Sequence, residues 1–230
     1  MVRPSRAGAR GRYGLLVGIS AATLLQSLPG PPEHKVPPAA VIPAQAGGRV
    51  QDIAPGKFLV ARRELPDPNF LDTVVLLVQY NDVGAMGLVI NRRTKIPLSR
   101  VFQDLKEAKG RSEPVYLGGP VQRTGVLALL RSRTKPGDAL PVFGDVYMLS
   151  SKELLEKTAV AATDPSAFHV YLGHSGWAPG QLENEVELGT WHIFRADPGM
   201  VFDPDPQSVW SRLIRKTELR IALGPGAAAS

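Results

Sequence analysis

Gly173-His174-Ser175-Gly176 is the tetrapeptide with the most chemistry in this sequence. A serine between glycines after an apolar run suggests a nucleophile elbow, a sharp strand-to-helix turn that exposes the hydroxyl. The elbow needs a small residue two places after the serine, and Trp177 stands there. The only histidine after Ser175 is His192, and the acids between them, Glu183, Glu185 and Glu187, fall on one expected helix. His174 or His192 would have to serve Ser175 in an unusual arrangement, since triads are recognised by geometry rather than order. A second reading makes the same stretch a binding corner, with N–H groups near Pro179 facing an anionic or carbonyl group of a ligand. A third is structural: the glycines turn the chain and Trp177 plugs the core.

Other chemistry is thinner. The histidines, His34, His169, His174 and His192, lack the i, i+4 spacing of a helical metal pair, and there is no cysteine. No metal or cofactor is therefore expected. Gly118-Gly119-Pro120 lacks the lysine and hydroxyl of a phosphate loop and reads as a tight turn. Arg92, Arg93, Lys95 and Arg100 would be the contacts of a direct nucleic-acid binder. No aromatic platform or recognition helix accompanies them, so a solvated strand edge is the plainer reading.

These residues need elements to position them. Phe58–Ala61 reads as a strand and Pro66–Asn69 as a turn. Thr73–Gln79 is β-branched and apolar on both faces, as a buried strand requires, and Asn81–Gly84 turns it into Ala85–Asn91. Ser99–Ala108 reads as a short helix with Val101, Phe102 and Leu105 on one face. Val115–Leu117 reads as a strand, and Gly125–Arg131 with Val142–Leu149 as a strand pair. Ser150–Glu153 fits a capping box before a helix reaching about Ala162. Phe168–Leu188 is expected to run strand, glycine corner, helix. Thr190–Arg195 reads as a strand and Pro206–Leu219 as a helix with Val209, Trp210, Leu213 and Ile214 inward. The order is not the alternation of a doubly wound sheet; an α+β domain with a mostly antiparallel, curled sheet fits it.

Composition bounds the rest. The chain has 230 residues and a formal charge of +6, but Arg3, Arg6, Arg10, Arg12, Lys35 and Arg49 face only Glu33 in residues 1–50. The remainder is nearly neutral, so the basic pI is no argument for nucleic acid. Residues 92–135 hold 11 basic and 3 acidic side chains, and residues 138–205 the reverse, 3 and 11. Such blocks suggest two solvated faces of opposite sign. Residues 1–28 join a basic start to the uncharged Tyr13–Leu28, in the manner of a targeting segment. Residues 29–50 form a Pro/Ala-rich linker, 51–222 a single domain and 223–230 a tail. Export or membrane tethering follows if Tyr13–Leu28 acts as a signal or anchor; a processed or untranslated extension would look the same.

Three motifs in order, Pro68-Asn69-Phe70 through Gly87-Leu88-Val89-Ile90-Asn91-Arg92, Leu117–Val121, and Gly173–Glu183, make the chain resemble the YqgE/AlgH family. The third departs at His174, where an aromatic hydroxyl is usual, and at Ala178, where glycine is. The resemblance implies a bifurcated sheet folded into a pseudo-barrel flanked by helices, and a cytoplasmic bacterial protein described as a transcriptional regulator. On the present reading Asn69, Asn91, Ser175, Gly176, Trp177, Gly180, Gln181 and Glu183 are expected near a ligand or partner pocket. The first expectation is a non-enzymatic binding or regulatory module for an unidentified small ligand or protein. A Ser175 hydrolase and direct nucleic-acid binding are the alternatives, and membrane contact would run only through the N-terminal segment.

Overall fold

The computed structural model describes residues 49–161 and 164–223, with side chains to residue 219. The targeting-like segment, almost all of the linker and all but the first residue of the tail lie outside these residues.

The elements are β1 (Lys57–Ala61), β2 (Val74–Asn81), β3 (Gly84–Val89), β4 (Arg93–Pro97), α1 (Leu98–Val101), β5 (Pro114–Leu117), β6 (Val121–Arg131), β7 (Leu140–Phe143) and β8 (Val146–Leu149). They continue with α2 (Lys152–Val160), β9 (Phe168–Trp177), α3 (Gln181–Glu187), β10 (Trp191–Arg195), α4 (Pro198–Val201) and α5 (Gln207–Leu223). All ten strands join one sheet whose main path runs β10-β1-β2-β3-β9-β6-β8-β7. Every pairing is antiparallel except β5 with β9. The class is α+β.

Strand β9 is where the sheet branches. One of its edges follows β6, whereas the other meets β5 at Tyr171 and Leu172 and β3 from Ser175 to Trp177. The pseudo-barrel expectation is corrected at the sheet's ends. A methyl on Gly56, just before β1, would stand 2.7 Å from Cβ of Phe143 on β7, so the curled sheet brings its ends together. No ladder joins β7 to β10 or β1, and the sheet is not closed. Side-chain packing bridges the gap where a barrel would use backbone hydrogen bonds.

Three apolar clusters fill the fold. Val209, Trp210, Leu213 and Ile214 of α5 cover Phe58, Leu76, Leu88 and Tyr171 on one sheet face, as the helical period requires. Leu98, Phe102 and Leu155 pack with Phe168 and Val170 in a second. Leu182 and Val186 of α3 join Leu59, Val75, Trp177 and Trp191 in the third.

Local expectations fail at two places. The helix expected over Ser99–Ala108 ends at Val101, and a 3-10 turn at Lys106–Ala108 follows; Phe102 and Leu105 still reach the second cluster. The basic run from Arg93, by contrast, is a solvated strand edge as expected, a largely exposed strand of its own bonded to β5 alone. Ser151 does precede α2 but makes no capping bond, because its hydroxyl donates to Asp138 Oδ1 at 3.2 Å instead. The charge blocks also alternate in the sheet, with β6 of the basic block between β8 and β9 of the acidic one. Arg131 on β6 pairs with Asp145 at 2.7 Å.

Candidate functional site

The break expected at Gly173 does not occur there. β9 continues through Gly173-His174-Ser175-Gly176 to Trp177, held by the His174 pairing with Val121 and the Ser175 and Gly176 pairings with Gly87 and Met86. Ser175 is fully buried in mid-strand, and its hydroxyl donates to the Gly118 carbonyl at 3.3 Å. The elbow geometry of the hydrolase alternative is therefore absent. His174 alternates to the opposite side of the strand from Ser175. His192 lies on β10, four strands along the sheet path from β9.

Asn69, Asn91 and Arg92 meet at one loop. Asn91 Oδ1 accepts from the Val74 N–H at 2.9 Å, and its Nδ2 donates to the Asp72 carbonyl at 2.8 Å. Asp72 holds φ +53°, a left-handed conformation that most side chains avoid. Arg92 donates to the carbonyls of Asn69 (2.6 Å) and Leu71 (2.8 Å). Burial lowers the Arg92 pKa from its ordinary value. The Asn91-Arg92 pair thus clamps residues 68–72 and fixes where Phe70 enters the third cluster. Arg93 likewise donates to Tyr116 Oη (3.2 Å) and the Pro204 carbonyl (3.0 Å). Two cations of the nucleic-acid alternative are therefore bonded within the chain, while Arg93, Lys95 and Arg100 are all exposed.

Phe70 leads to the densest side-chain constellation. Its ring stacks 6.0 Å from Trp177 and meets Trp191 edge-on at 5.5 Å; the two indoles are 6.2 Å apart, also edge-on. Glu185 ties them together, its Oε2 accepting from Trp177 Nε1 at 2.9 Å and Trp191 Nε1 at 2.8 Å. Its Oε1 accepts from Gln181 Nε2 at 3.1 Å, one helical turn earlier. Glu183 Oε1 accepts from Tyr80 Oη at 2.6 Å, a bond that raises the phenol to about 12. The chain turns at Ala178–Gly180, where Gly180 takes φ +77° before α3. Gln181 Oε1 accepts from the Ala178 N–H at 3.1 Å, so that turn is partly closed by its own side chain.

The structure brings together Phe70 of the Asn69 loop, Trp177, Gln181 and, through Tyr80, Glu183. Ser175 and Gly176 lie beneath, inside the sheet, and Asn91 acts on the loop rather than on the corner. Trp177 is a core residue. Sequence reading missed Glu185, Trp191, Phe70 and Tyr80 as partners. Tryptophans on both sides of a short helix with glutamate and glutamine at i, i+4 were the available signal.

Outside the corner, His169 stacks on Tyr116 with ring centroids 4.5 Å apart, near Phe202. Burial holds His169 and His174 each near pKa about 4. Among the described residues no group of three or more histidine or acidic side chains is arranged to hold a metal.

A family model described as AlgH-like (DUF179) matches residues 58–222. A UPF0301 protein of Paraburkholderia phytofirmans is 41% identical over 154 residues, covering 64% of this chain and 79% of its own. One from Streptomyces avermitilis is 31% identical over 180 residues, covering 73% of this chain and 89% of its own. The solution structure of the AlgH protein from Pseudomonas aeruginosa superposes with TM-score 0.60 at 31% identity, over 82% of this chain and 100% of that one. A Corynebacterium diphtheriae crystal structure, 22% identical, shares the fold with TM-score 0.61 over 71% of this chain and 87% of its own.

Proposed function

This chain belongs to the AlgH-like family, and from that premise we propose that it is a non-enzymatic binding module whose contact surface is the outer side of α3 with the adjoining β2–β3 tip. The carrying observation is how that surface is made. Glu185 anchors α3 from beneath to two buried indoles, which fixes the helix that ends at Leu188 (53% exposed). The Tyr80–Glu183 bond ties the β2–β3 tip with Val83 (58% exposed) to the start of that helix. Large apolar side chains displayed beside carboxylates on a fixed element suit recognition of a partner better than turnover. A role in transcriptional regulation would run through this contact, because Arg92 and Arg93 serve internal carbonyls.

The test is native mass spectrometry of the full chain purified gently from cell extract, beside a Val83→Ser/Leu188→Ser variant of matched melting temperature. A ligand or protein retained by the parent and lost from the variant supports the reading. Equal retention by both, or a chain that stays bare even when residues 1–48 are removed, overturns it.

A further inference from the structure

The α3 surface has a chemically matched occupant in the chain itself, an inference that rests on the reading just given. Tyr80 Oη bonds Glu183, the Asp82 charge adds to the rise in the Tyr80 pKa, and Gly84 packs against the Trp177 carbonyl. The β2–β3 tip and the start of α3 are therefore one surface. It carries Asp82, Glu183 and the exposed Val83; one turn further along α3 come Glu187 and the exposed Leu188, and residues 81–84 and 181–188 include no lysine or arginine. Arg62, at the far end of α3, donates to the Gly189 carbonyl.

The described chain also begins beside this helix. The 3-10 turn Val50–Asp52 packs against α3, and Ile53 shares a core cluster with Leu182 and Val186. The residues before it carry Arg3, Arg6, Arg10 and Arg12, with no acid before Glu33, followed by Leu15, Leu16 and Val17. Basic side chains succeeded by aliphatic ones complement carboxylates interleaved with Val83 and Leu188.

We propose that residues 3–17 dock on the α3 and β2–β3 surface, arginines on Asp82, Glu183 and Glu187, and leucines on Val83 and Leu188. One exposed ion pair contributes little, so several must act together. Covalent attachment through residue 49 helps by raising the effective concentration of the segment at its site. The docked segment competes with any external partner, and removal of the N-terminus uncovers the surface.

The chain has no cysteine, so Ala7→Cys in the full-length protein gives a single thiol for a nitroxide label. Amide signals of residues 82–84 and 181–188 are expected to weaken several-fold relative to the reduced label. They should recover in 1 M salt, where the Debye length is about 3 Å. They should also recover in Arg6→Gln/Arg10→Gln, which alters no described residue, and in Asp82→Asn/Glu187→Gln of matched melting temperature. Uniform weakening, weakening centred elsewhere, or weakening insensitive to salt and charge overturns the proposal. An external partner still lost on Val83→Ser/Leu188→Ser would then leave α3 as a contact surface without its internal occupant. Failure of both experiments removes the contact surface itself.

Discussion

Gly119 lies directly against the backbone of Ser175. A methyl on Gly119 would stand 2.4 Å from the Ser175 nitrogen and 2.2 Å from the His174 carbonyl carbon. One on Gly118 would stand 2.3 Å from the Gly173 oxygen, and Gly118 accepts the Ser175 hydroxyl across 57 positions of sequence. Two glycine motifs, one read as a candidate site and the other as a tight turn, are the two halves of one backbone crossing.

Gly119→Ala must push the strands apart, and its φ of +155° disfavours any side chain. It should cost more than about 4 kcal/mol or prevent folding. Gly176→Ala meets nothing nearer than 3.8 Å and should stay within about 1 kcal/mol. Urea unfolding of the two variants checks the contrast; equal effects would refute the crossing as the reason for the glycines.

Glu185→Ala strips the acceptor from both indole N–H groups at once. Buried donors left without partners should lower stability by about 2–4 kcal/mol. Glu185→Gln keeps one amide oxygen at the site and should cost about half as much. Equilibrium unfolding followed by tryptophan fluorescence reports both; a neutral Glu185→Ala would show that the indoles need no common acceptor.

Asn91→Ala removes the bond to the Asp72 carbonyl and the bond from the Val74 N–H, which together bracket the left-handed Asp72. A loss of about 2–3 kcal/mol is expected. Hydrogen exchange at Phe70–Thr73 should accelerate at least about tenfold, the factor that about 1.4 kcal/mol of local opening represents. Unchanged exchange there would mean that Arg92 alone secures the loop.

Acid should weaken the fold through His169 and His174. Both are held near pKa about 4 by burial, against an ordinary 6.5, so the unfolded chain binds more protons between those values. Their contribution to stability is complete above about pH 6.5 and declines as pH falls toward 4, by at most about 3 kcal/mol for each. Unfolding free energies at pH 7.5 and 5.0 give the slope, which His174→Gln should roughly halve. A slope unaltered by that change would place the acid sensitivity elsewhere.

The sequence alone determined what depends on a residue and its near neighbours. The apolar runs of β1 to β3 have strand character because both their faces are apolar. Asn81–Gly84 turns tightly because glycine permits the φ of +129° found at Gly84. The 3.6-residue period placed Val209, Trp210, Leu213 and Ile214 on the buried face of α5. The three motifs led correctly to the family.

Only the tertiary structure decided what those motifs are for. A glycine's meaning depends on what lies opposite it. At Gly173 and Gly119 that is another backbone, so the expected corner is a continuous strand and Ser175 is sealed inside it. A carboxylate's role depends on which donors converge on it, and Glu185 receives two indoles from the strands on either side of its helix. Closure of the sheet was undecidable locally for the same reason, because it depends on whether β7 and the β1–β10 edge align for hydrogen bonding after eight strands of accumulated twist. Periodicity records how each segment meets its own surroundings; convergence between distant segments is a property of the packed whole.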